Sequence, residues 1–137
     1  MTRSQLKQLA KLRIEEAKSL LDNGSYSGAY YLAGYSIECA LKACIAKQIK
    51  ANTIPDKKLI LDFYTHNLKD LIKLADLEND RMIFANTNAN FAINWTTLIE
   101  WNETSRYKIY SESQAKDLYN SITSKNGGIL SWVQKYW

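Results

Sequence analysis

A chain of 137 residues, 46% hydrophobic and 23% charged, is long enough for its own core and has ordinary globular composition, which argues against disorder. Its net charge of +4 permits an anionic partner such as a nucleotide or RNA without demanding one, since a solvated lysine-rich face reads the same way. One proline and five glycines leave few chain breaks, which favours long helices over many short strands.

Apolar residues recur at helical spacing from Ser4 to Leu21, through Leu6, Leu9, Ala10, Leu12, Ile14, Ala17, Leu20 and Leu21. Arg3, Lys7, Lys11, Arg13 and Lys18 lie among them, opposed by Glu15 and Glu16, so the N-terminus is amphipathic and unlike a secretion signal. Asp22-Asn23-Gly24 ends this helix, with glycine at the position that favours a left-handed backbone.

A second helix is expected from about Tyr26 to Lys50, antiparallel to the first because the turn is short. It carries one acidic residue, Glu38, and no polar face that returns with each turn, so it is not an ordinary surface helix. Small residues recur along it at Ala29, Ala33, Ser36, Ala40 and Ala43, allowing another backbone to come close. Such a helix must be covered on most sides, by its own fold and by a second copy of the chain. It is too short and too polar at its edges to cross a bilayer. Cys39 and Cys44 are five residues apart on one helix and cannot bridge each other, which implies reduced core thiols and a cytoplasmic setting. Two cysteines and one histidine at unrelated spacings offer too few ligands for a metal, and no cofactor is expected.

Ala51 to Lys58, with Pro55, reads as a loop. Thr65 or Asn67 then caps a short amphipathic helix containing Leu68, Leu71, Ile72 and Leu74. Asp76 to Ala92 is polar and asparagine-rich, a loop or a frayed join. Phe91, Ile93, Trp95, Leu98, Ile99 and Trp101 mark a further helix that reaches Tyr107. A last helix begins near Ser111 or Ser113, and Asn126-Gly127-Gly128 separates it from a terminal turn with Ile129, Leu130, Trp132 and Val133. The aromatics at Trp132, Tyr136 and Trp137 are expected to dock on the bundle or on a partner. With no internal repeat or linker, residues 1–137 read as one all-α up-and-down helical bundle of about five helices.

Three segments in this order resemble the HEPN domains (higher eukaryote and prokaryote nucleotide-binding). They are AKSLLDNGSYSGAYYLAGYSIECALKA from Ala17 to Ala43, Thr65-His66-Asn67-Leu68 followed by Leu71, and Trp101 followed by Arg106-Tyr107. The resemblance implies a helical fold, a homodimer formed through the second helix and its neighbours, and a nucleotide or RNA as ligand. It also suggests pairing with a nucleotidyltransferase, or a toxin-antitoxin role. Many members are metal-independent ribonucleases that use an arginine followed, after four to six intervening residues, by a histidine. Here the corresponding positions after Arg106 are Ser111, Glu112 and Ser113, and the nuclease pair is absent.

Four residues emerge as candidate ligand-binding groups: Glu38, His66, Arg106 and Tyr107. Glu38 pairs with Lys42 one turn on if the helix is on the surface, or with Arg106 or His66 if it is buried. Arg106 carries a planar fork suited to phosphate and Tyr107 a ring suited to a base, against the plainer arrangement of an internal Glu38–Arg106 bridge. His66 is either a structural cap or a hydrogen-bond donor beside Arg106. The leading expectation is a non-catalytic binding module; the alternatives are a divergent ribonuclease centred on Arg106 and a purely structural helical adaptor.

Overall fold

The computed structural model describes residues 1–137, and every regular element in it is helical. Helix α1 (Arg3–Asp22) opens with a capping box, in which the Thr2 hydroxyl accepts from the Gln5 amide and the Gln5 side chain accepts from that of Thr2. It closes where Gly24 adopts a positive φ of 77° and the Ser25 amide donates back to Leu20. Helix α2 (Tyr26–Lys47) then runs back along α1, three residues short of the expected end.

Ten consecutive α2 residues, Ser36 to Ile45, are buried. The missing polar face is explained by position: α1, α4 (Leu68–Leu74), α7 (Glu112–Thr123), α8 (Ile129–Gln134) and a 3-10 segment (Glu103–Tyr107) all pack on this one helix. The small residues let these neighbours approach. At Gly34 the Trp101 indole lies so close that a Cβ would sit 2.3 Å from the ring, and its Nε1 donates to the Tyr31 carbonyl at 3.1 Å.

The five expected helices resolve into eight α-helices and the 3-10 segment. Helix α3 (Lys57–Phe63) forms where a loop was expected to extend to Lys58. The cap of α4 uses both expected residues, with the Asn67 side chain accepting from Lys69 and Asp70 and the Thr65 hydroxyl accepting from the Asn67 amide. Helix α5 (Glu78–Thr87) occupies the tract left open as loop or join. Asn88 ends α5 and caps α6 (Ala89–Leu98) through its bond to the Phe91 amide, so one residue divides the two helices. The helix expected to reach Tyr107 stops at Leu98, because Trp101 turns inward onto Gly34 and Asn102 starts the 3-10 segment with its own capping box. Serine 111 caps α7 with Gln114 as partner.

The C-terminal aromatics dock on the bundle. Trp132 is buried, the Trp137 ring lies 5.6 Å from Lys7 Nζ and 5.8 Å from Lys11 Nζ, and Arg3 donates to the Trp137 carbonyl at 2.7 Å. No helix is long and apolar enough to cross a membrane.

Candidate functional site

Tyr31, Tyr35, Glu38 and Lys42 follow one another on α2 at helical spacing and share one face of it. The C-terminal half of α2 is buried, with α4 among the elements packed on it, and its N-terminal half is only partly covered.

In the closed half, Glu38 is buried, and its Oε1 accepts from Lys42 Nζ at 2.9 Å and from His66 Nδ1 at 2.9 Å. A carboxylate can only accept, which puts the imidazole proton on Nδ1. The other face of the ring, Nε2, lies 3.5 Å from Glu103 Oε2 on the 3-10 segment. His66 thus ties the loop before α4 to α2, while Glu103 of the 3-10 segment faces its second nitrogen. Lys42 Nζ also lies 5.4 Å over the Phe63 ring, which helps hold a nearly buried cation. Glu38 Oε2 has no hydrogen-bond partner although it is buried.

This corrects one expectation: Glu38 is buried, but Arg106 is not its partner. The sequence offers the Lys42 pairing only for an exposed helix; here the same pair forms inside the protein, joined by His66. Burying both charges next to each other removes the need for a cation from elsewhere.

Arg106 is exposed at the end of the 3-10 segment and takes part in no ion pair. Its guanidinium lies 4.9 Å over the Tyr107 ring, and Tyr107 is 77% exposed. Tyr107, and to a lesser degree Tyr31, raise the pKa of the guanidinium above its ordinary value. Behind them the Tyr31 and Tyr35 rings lie 6.1 Å apart and nearly parallel, with Trp101 stacked on Tyr31 at 5.9 Å. Arg13 of α1 closes the far end, 6.0 Å over Tyr35, while held by Glu16 at 2.7 Å. Burial comes first among the causes that raise the Tyr35 pKa, followed by Cys39 and Glu38.

The four candidates therefore fall into two groups, Glu38 with His66 and Arg106 with Tyr107. Glu103 and Arg106 share the 3-10 segment, three residues apart, with Glu103 Oε2 facing His66. Sequence reasoning missed Glu103 as a partner of His66, and Tyr31, Tyr35 and Arg13 as neighbours of the arginine site. For the tyrosines a signal exists, since both lie on the Glu38 face of α2 at positions three and seven residues before it. Arg13 lies across a helix pair and has no such signal.

Among known protein families, the model for the HEPN domain matches residues 4–136. No match was found among curated proteins or solved structures.

Proposed function

The chain belongs to the HEPN domain family, and on that footing we propose that it is a non-catalytic module that binds a nucleotide or RNA across Arg106 and Tyr107. One observation carries this reading: Arg106 is left free of any carboxylate because Lys42 and His66 already serve Glu38. An unpaired guanidinium on the surface can take a phosphate through two parallel hydrogen bonds. Tyr107 beside it offers a ring face on which a base can stack, an interaction of about 1–3 kcal/mol. Tyr31, Tyr35 and Arg13 extend the same surface.

Thermal melting with nucleotides, polyphosphates and short RNAs, run on the wild type and Arg106→Ala in parallel, tests the proposal. A ligand that binds only the folded state raises the midpoint, and that shift should disappear in the variant. Equal shifts in both proteins would sink the arginine site.

A homodimer through α2 would use the half-exposed stretch with Gly28, Tyr31, Leu32 and Tyr35, because Ser36 to Ile45 are already covered within one chain. Dimerisation and ligand binding would then share a surface, and sedimentation with and without RNA would reveal competition between them.

The geometry of His66 favours one alternative, a metal-independent ribonuclease. A buried carboxylate holding Nδ1 leaves Nε2 to act as a base. Glu103 stands opposite that nitrogen, which is why binding is preferred here. RNA cleavage that vanishes in His66→Ala would overturn the non-catalytic reading.

A further inference from the structure

We infer that the flank of α1 bearing Arg3, Lys7 and Lys11, together with Lys47 at the end of α2, is a second anchor for the phosphate backbone of RNA. The three α1 cations recur every four residues, so they stand in a row with a rise of about 6 Å between neighbours. Helix α2 runs back along α1, which brings its last residue, Lys47, beside the start of that row. The row is fixed by Trp137. Arg3 donates to the Trp137 carbonyl at 2.7 Å, and Lys7 Nζ and Lys11 Nζ lie 5.6 Å and 5.8 Å from its ring.

No side-chain carboxylate answers this charge. None of the four cations takes part in an ion pair, although Glu15 follows Lys11 by one turn, and Glu16 is held by Arg13. Burial comes first among the causes that lower the Lys7 pKa, the charges of Arg3, Lys47 and Lys11 add to it, and Cys44 alone acts the other way. Arg3 Nε is buried with no hydrogen-bond partner. A carboxyl group on Trp137 would answer one of the four positive charges and leave three. Gathering like charges opposes folding, and a bound polyanion offsets that cost.

The surroundings select the polyanion. Ser4 and Gln8, exposed one turn before Lys7 and Lys11, are hydrogen-bonding groups, whereas Leu12, the exposed large apolar residue of α1, points more than a quarter-turn away. A protein partner or a bilayer draws its affinity from apolar anchors, while a sugar-phosphate backbone is held by cations and polar side chains. The choice of RNA rests on the reading proposed above. Arg13, which closes the far end of the Tyr35 surface, leaves the opposite flank of the same helix, so one strand crossing the exposed face of α1 can meet both anchors.

Fluorescence anisotropy with a short unstructured RNA, repeated between about 50 and 200 mM salt, tests this on the wild type, Lys7→Gln/Lys11→Gln and Arg106→Ala. The lysine variant should bind about tenfold more weakly at the lowest salt, and its slope of log affinity against log salt should be shallower by about 1.4, at about 0.7 for each cation removed. Lys57→Gln/Lys69→Gln removes the same charge elsewhere and should keep the wild-type slope; an equal change there would overturn the inference, since net charge alone would explain it. Melting curves check that the variants fold. If the lysine variant matches the wild type while Arg106→Ala loses RNA, this anchor is refuted and the arginine site stands. The reverse result keeps this anchor and removes the arginine site. The inference also falls if the wild type binds no RNA, if polyglutamate of equal charge binds as tightly, or if phosphatidylglycerol vesicles are taken through the same lysines in preference to RNA.

Discussion

Replacing Glu38 by glutamine measures how α2 carries charge at its buried centre. The Glu38 side chain is 3% exposed and that of Lys42 11%, so neither charge can fall back on water. Breaking a buried pair by neutralising one member costs about 3–5 kcal/mol, because the other charge stays desolvated. Phe63 beneath Lys42 Nζ offsets about 1 kcal/mol of this, and the glutamine carbonyl still accepts from His66. A loss of about 2–4 kcal/mol remains, lowering the melting temperature by about 10 °C in a chain of this length. Lys42→Met should cost about 2–3 kcal/mol, since His66 still bonds to the carboxylate. The double variant should be less damaged than the sum of the two by about 2 kcal/mol, because it leaves no unpaired charge. Urea unfolding followed by circular dichroism gives all four corners of the cycle. Additive losses would refute the reasoning, for they would mean that the two residues do not share one burial cost.

Gly34→Ala places a methyl group 2.3 Å from the Trp101 ring, which must leave its seat and its bond to Tyr31; a loss of about 3 kcal/mol or more and a shift in tryptophan emission are expected. An unchanged melting temperature would show that the contact yields easily. Burial pushes both Cys39 and Cys44 up to about 11, with the Glu38 charge adding to the effect at Cys39. At pH 8 only about one native thiol in a thousand is ionised, so Ellman's reagent should label the folded protein slowly and the denatured protein at once. Raised thiol pKa values contribute stability that is complete below the free value of 9.0 and is lost as the pH climbs towards about 11. A melting temperature flat across that window would contradict this.

The helical class and the α1–α2 hairpin are legible in the sequence because local signals and burial agree there. Asn23 and Gly24 mark its turn, and the apolar length of α2 reports how completely it is covered. Segments governed by distant contacts are harder to read. Trp95, Leu98 and Trp101 keep helical spacing across a helix end, because the break is caused by the Trp101 ring meeting Gly34, which lies far away in the sequence. Helix α5 has no buried residue, and so little pattern to betray it. At the candidate site, the burial of Glu38 and its bond to His66 follow from apolar neighbours and residue chemistry. The exposure of Arg106 does not, nor does the Glu38 pairing with Lys42 inside the protein, since periodicity alone places Lys42 equally well in water.

The central position of α2 also bears on how the chain is made. The hairpin partner α1 precedes α2, but most of its other cover comes from α4, α7, α8 and the 3-10 segment, all of which are synthesised later. A growing chain that has just released Lys47 therefore presents the Ser36–Ile45 stretch with only one side protected. Until the last helix emerges, that apolar rod is the part of the molecule most exposed to capture by chaperones or by other unfinished copies.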